Sequence, residues 1–117
     1  MVMRQGDIFY VNFNPSIGHE QRSSRPAIVL SHDLIFKTSR MAIVAPISTT
    51  KRNYPAYYEL QETEHIKGKV LLDQSKALDL YHRQVSQADF IERAKPNEFK
   101  GIIHRYKLLF DLVDDYQ

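Results

Sequence analysis

Hydrophobic residues change their spacing once along this chain, and that change constrains the fold more than any other feature. Through residue 81 they come in short runs: 8–13, 27–30, 41–47, 57–60, 69–72 and 76–81. Gly6-Asp7 opens the first run, Asn14-Pro15 closes it, and Pro26 precedes the second. Runs this short, separated by turn residues, suit strands rather than helices. They predict a small antiparallel barrel or sandwich. Pro46 has no N–H to give a neighbouring strand, so the third run is expected to end there or to lie at an edge. In the last third the step becomes three and four, through Phe99, Ile102, Ile103, Tyr106, Leu109, Phe110 and Val113. That spacing marks one face of an amphipathic helix. Pro96 suits its first turn, and Asn97 and Glu98 suit the positive end of its dipole. The expected class is mainly β (α+β), with the helix covering an open face of the barrel.

A chain of 117 residues with 43% hydrophobic content can bury a core as one domain, here taken as residues 1–117. It contains no cysteine, which excludes disulfides and thiolate metal sites and fits a cytoplasmic location. No apolar stretch precedes Asp7, so no secretory leader is expected. The longest apolar run, 41–47, is far short of the roughly 20 residues that cross a bilayer. Net charge is +2, unevenly placed: residues 1–55 carry seven Lys/Arg against three Asp/Glu. A basic front half is compatible with a polyanionic partner, but on charge alone scattered surface charge is the favoured reading.

The stretch GHEQRSSRP, residues 18 to 26, gathers His19, Glu20, Arg22 and Arg25 between two strands. Loops held by strands are where functional residues collect. Arg25 precedes a proline, which restrains its backbone to extended conformations. A restrained guanidinium fork makes a better phosphate clamp than a mobile one. Histidine ordinarily titrates near neutrality, so His19 is a proton-transfer candidate. Composition alone favours a solvated hairpin loop, since Arg and Glu are commonplace in such loops. None of the five histidines (His19, His32, His65, His82, His104) stands three or four residues from another, so no helical metal site is expected. No glycine-rich phosphate loop is present, and no nucleotide cofactor is expected.

Three segments, taken in order, resemble the MazF/PemK family, toxins of type II toxin–antitoxin modules. They are RQGDIFYVNFNPSIGHEQRSSRPAIVLS at 4–31, AIVAPIST at 42–49 and VLLDQSKALDLYHR at 70–83. The resemblance implies an SH3-like barrel with a C-terminal helix, forming a homodimer. It implies metal-independent, sequence-specific cleavage of single-stranded mRNA, leaving 2′,3′-cyclic phosphate and 5′-hydroxyl ends. Its partners would be RNA, a small acidic antitoxin and, only through that antitoxin, operator DNA. The family's catalytic Arg and Thr fall on Arg25 and Ser48, with Thr49 beside it as an alternative hydroxyl. Attack by a ribose 2′-OH needs a proton acceptor, a donor to the leaving oxygen and positive charge near the phosphorane. Arginine holds its proton too firmly to be the acceptor. Arg25 is therefore assigned to charge stabilisation and Glu20 or His19 to the base. Asn14, Arg22, Thr49, Asp73 and Gln74 are the expected substrate contacts. Ser48, Lys76 and Leu71 depart from the family pattern, replacing Thr, Arg and, in some members, a basic residue.

Two other functions suit a chain of this kind. One is a toxin of the same barrel class that binds DNA gyrase without nuclease chemistry. The other is a degenerate member that binds RNA without cutting it.

Overall fold

Three strands of this protein bury side chains on both faces, which is why their apolar runs are nearly continuous rather than alternating. The structure, a computed structural model, describes residues 2–14 and 24–116. Strands β1 (Asp7–Asn12), β2 (Ser24–Val29) and β3 (Met41–Ser48) form its centre. One face of these strands sends Phe9, Val11, Ala27, Val29, Ala42 and Val44 into a first core. The alternate residues Ile8, Ile28, Ala45 and Ile47 enter a second. Helix α1 (Asp33–Ser39) contributes Phe36 to the first core, and helix α2 (Pro96–Leu108) contributes Ile102 to the second.

The remaining strands are β4 (Tyr57–Glu59), β5 (Lys69–Leu71), β6 (Lys76–Asp79) and β7 (Phe90–Arg93). All pairings are antiparallel, in the order β4-β5-β3-β2-β1-β7, with β6 also on β3. The expected antiparallel class with a C-terminal helix is therefore present, but the ladder does not close: β4 and β7 are its two ends. One carboxylate spans the gap. Glu92 in β7 accepts the N–H groups of Glu64, His65 and Ile66 at 2.9, 2.7 and 2.8 Å. Burial opposes its ionisation, yet these three donors outweigh that effect and hold its pKa below the ordinary value.

Three local expectations are corrected. Strand β3 runs straight through Pro46, which is buried and paired with Ala27. The proline falls between the last β6 pair, Val44 with Lys76, and the first β5 pair, Ile47 with Val70, where the strand changes partners. Helix α2 ends at Leu108 rather than reaching Val113. Leu109, Phe110 and Val113, expected on its buried face, are 39%, 68% and 67% exposed. Neither α1 nor β7 was expected. His32 caps α1 by accepting Leu34 N–H at 3.0 Å, and Arg40 at φ 64° closes it.

Candidate active site at the mouth of the sheet

The side-chain alternation that fills the first core also builds a cleft at its end. Following that face outward, β1 leads from Phe9 and Val11 to Phe13, and β2 from Val29 and Ala27 to Arg25. Strand β3 leads from Ala42 and Val44 to Pro46, and β6 from Leu78 to Lys76. These four residues, with Asn12, Asn14, Ser24, Asp73, Gln74 and Ser75, line a cleft of about 980 Å³. The apolar core thus opens into a mouth carrying two cations, an aromatic ring and several amides. Lys76 Nζ lies 6.0 Å from the Phe13 ring centroid, within cation–π range.

Neighbouring bonds fix the walls. Asn12 Oδ1 accepts the Asn14 N–H at 2.8 Å, and the Asn12 carbonyl accepts Arg83 Nη1 at 2.6 Å. Asp73 and Gln74 sit on a single 3-10 turn, Leu72–Gln74, whose Leu72 is buried beneath them. Ser75 Oγ and Tyr106 OH are 2.9 Å apart, tying the cleft wall to the last turn of α2. Among the described residues, no ion pair engages Arg25 or Lys76.

Of the residues expected from sequence, Arg25, Asn14, Asp73 and Gln74 come together here. His19, Glu20 and Arg22 lie outside the described residues. Ser48 does not line the cleft. It is half-buried, one step beyond Pro46 on the same strand face, and its Oγ accepts the Thr50 N–H at 3.1 Å. Extending the β2–β3 register two residues past its last pair, Ala27 with Pro46, would set Ser48 opposite Arg25. Thr49 faces a separate depression shared with Thr50, Lys51, Glu59, Gly68 and Lys69. Phe13, Asn12, Ser24 and Ser75 were not expected as site residues; the alternation of β1 pointed to Phe13, but an aromatic at a strand end reads as core.

Three further carboxylates outside the cleft have displaced ionisation. Burial raises the pKa of Asp7 despite the Arg4 N–H and the Arg93 guanidinium. The Gln5 N–H lowers that of Asp33, and His82 lowers that of Asp79. Among the described residues no three His, Cys, Asp or Glu side chains are grouped to hold a metal, and no helix is long and apolar enough to cross a membrane.

The class these features define is a small open β-barrel with a cationic, aromatic-walled cleft at its mouth. A family model described as PemK-like, MazF-like toxin of type II toxin-antitoxin system matches residues 4–110. The chain belongs to this family. It is similar to the endoribonuclease toxin MazF of Escherichia coli (strain K12), 36% identical over 73 residues, or 62% of this chain. That match spans 65% of the relative's own length. It is 39% identical to the endoribonuclease toxin ChpB of the same strain over 85 residues, covering 68% of this chain and 72% of that protein. The structure of MazF from Deinococcus radiodurans superposes with a TM-score of 0.77 at 25% identity, covering 94% of this chain and 97% of that one. A MazE-MazF structure from the same organism shares the fold at TM-score 0.77 and 20% identity, covering 97% and 99%.

Proposed function

We propose that this protein is an endoribonuclease toxin that cuts single-stranded RNA in the mouth cleft and is held in check by an acidic antitoxin. The observation that carries this reading is the convergence of Arg25, Lys76 and Phe13 at one mouth, with the amides of Asn14 and Gln74 beside them. Single-stranded nucleic acid presents phosphates, planar bases and base edges. Cations, an aromatic face and amides are the matching groups. Relatives named endoribonucleases support the assignment.

In the proposed reaction the ribose 2′-oxygen attacks the adjacent phosphorus while Glu20 or His19 takes its proton. The bond from phosphorus to the 5′-oxygen breaks. Arg25 stabilises the charge that builds on the phosphorane and hydrogen-bonds the departing oxygen, which takes a proton from water as it leaves. The hydroxyl of Ser48 or Thr49 donates to a phosphate oxygen. Lys76, Arg22 and Asp73 position the strand around the cut. The products are a 2′,3′-cyclic phosphate and a 5′-hydroxyl, and no step requires a metal. The antitoxin is a small acidic protein whose segment folds over the cationic mouth. We include a homodimer in this reading; light scattering at twice 13.7 kDa would support it, and a monomer mass would count against it.

The test is incubation of the purified protein with a long mixed-sequence RNA in excess EDTA, followed by mapping of the new 5′ ends. Recurrent cuts at one short sequence are expected. Cleavage that EDTA abolishes and a divalent ion restores overturns the metal-free step. Absence of cleavage together with DNA gyrase binding replaces the nuclease with a binding toxin.

A further inference from the structure

From the structure we infer that residues 109–116 form an acidic, apolar strap that docks into the mouth of its own chain and competes there with RNA. This rests on the reading of the mouth as an RNA cleft. Sequence spacing continues the helix into this segment, but α2 stops at Leu108. The eight residues after it, LFDLVDDY, carry three carboxylates and no Lys or Arg. Their apolar side chains lie open to solvent: Leu109, Phe110, Leu112, Val113 and Tyr116 are between 39% and 72% exposed. Consecutive exposed apolar groups of this kind mark a binding segment rather than ordinary surface. The family match ends at residue 110, so most of the segment lies beyond it.

Position and charge identify the occupant of the cleft. The segment leaves the helix beside the mouth. Tyr106 bonds the lining residue Ser75, and the Phe110 ring meets Tyr106 edge-on at 5.3 Å. In the structure the N–H groups of Leu109, Phe110 and Asp111 bond back to the carbonyls of Tyr106, Lys107 and Leu108, and docking would release them; eight extended residues then reach roughly 26 Å at about 3.3 Å each. Tyr106 already touches Ser75 on the wall of the mouth, so that reach begins at the cleft itself. Asp111, Asp114 and Asp115 are interspersed with apolar side chains, so the segment offers negative and apolar groups together, as RNA offers phosphates and bases. They would meet Arg25 and Lys76, while Phe110 or Leu112 would cover the Phe13 ring. Tethering supplies an effective concentration on the order of millimolar, so even docking with a dissociation constant of about 0.1–0.5 mM competes several-fold with RNA.

The test uses the full chain. Because it has no cysteine, a nitroxide attached through Gln117→Cys labels one position only. At low salt, line broadening is expected for the amides of Phe13, Arg25, Gln74 and Lys76. It should fade at high salt and in a variant combining Asp111→Asn, Asp114→Asn and Asp115→Asn. That variant should bind an RNA lacking 2′-hydroxyls about 3- to 10-fold more tightly. The charge-conserving pair Leu112→Ser and Val113→Ser should tighten binding in the same direction, which long-range repulsion alone would not do. No broadening at any salt overturns the strap, as does broadening seen only when spin-labelled protein is mixed with a separate isotope-labelled copy. Unchanged RNA affinity in both variants also overturns it. If the wild type binds no RNA at all, the nuclease reading fails while the broadening experiment still decides whether the strap docks.

Discussion

Replacing Arg25 with Ala isolates the chemistry of the mouth from its architecture. Arg25 is exposed at the start of β2, outside both cores, so its removal should change stability by no more than about 0.5 kcal/mol. Its contribution to rate should be much larger. Loss of one preorganised donor to developing negative charge costs roughly 10²- to 10³-fold. Here the lower end applies, because Lys76 remains in the same cleft as a second cation and the mouth is open to water. A 10²-fold loss corresponds to about 2.7 kcal/mol of transition-state stabilisation. Arg25→Lys should recover only part of it, since an ammonium lacks the planar two-donor fork. The assay is single-turnover cleavage with enzyme in excess, with circular dichroism and melting matched across variants. A folded Arg25→Ala protein that cuts at the wild-type rate would refute the assignment and return this edge to solvated charge.

Lys76→Ala should weaken RNA binding and flatten the log–log dependence of affinity on salt by about 0.7, the value for one phosphate of a single strand. An unchanged slope in binding titrations would remove Lys76 from the contact. Glu92→Gln should lower stability by about 1–3 kcal/mol, because one amide oxygen cannot serve three N–H donors as a carboxylate does. The pKa of Glu92 is lowered by folding, so its contribution is present above the ordinary 4.5 and is lost as pH falls through the lower folded value. The melting gap between wild type and Glu92→Gln should therefore narrow with acid; a gap independent of pH contradicts the bridge. Gly68 has φ +130°, and a Cβ there would stand 2.5 Å from the Ser48 carbonyl oxygen. Gly68→Ala should cost on the order of 2 kcal/mol or more and disturb Ser48; a melt matching wild type would show that the contact relaxes freely.

Sequence legibility tracked the physical signal available at each element. Strands β1 to β6 were visible because each carries apolar residues near its expected place, buried in succession in β1, β2, β3 and β5 and singly, as Tyr57 and Leu78, in β4 and β6. Helix α1 was not, since only Phe36 of its seven residues is buried and it depends on caps at His32 and Arg40. Strand β7 was missed because none of its four residues is buried and it is recognised by pairing with β1. The end of α2 was misplaced because Leu109, Phe110 and Val113 keep the helical step although no described surface covers them. Within the site, the strain-free extension of β2 before Pro26 pointed to Arg25. Its neighbours Phe13 and Ser75 came together only through the strand alternation and the Tyr106 bond. Ser48 and Thr49 carry suitable hydroxyls, but no local signal in the sequence revealed that they stand outside the cleft lining.

In the proposed reaction the ribose 2′-oxygen is the nucleophile, and this chain alone, without a metal, drives its attack. The most direct measurement uses an oligonucleotide containing the mapped cut sequence, in EDTA, with ribose or 2′-deoxyribose at the nucleotide before the cut. Mass spectrometry should find a 2′,3′-cyclic phosphate and a 5′-hydroxyl from the first, while the second binds with similar affinity and stays intact. Cleavage of the deoxy substrate, or products ending in 5′-phosphate, would rule out attack by the 2′-oxygen.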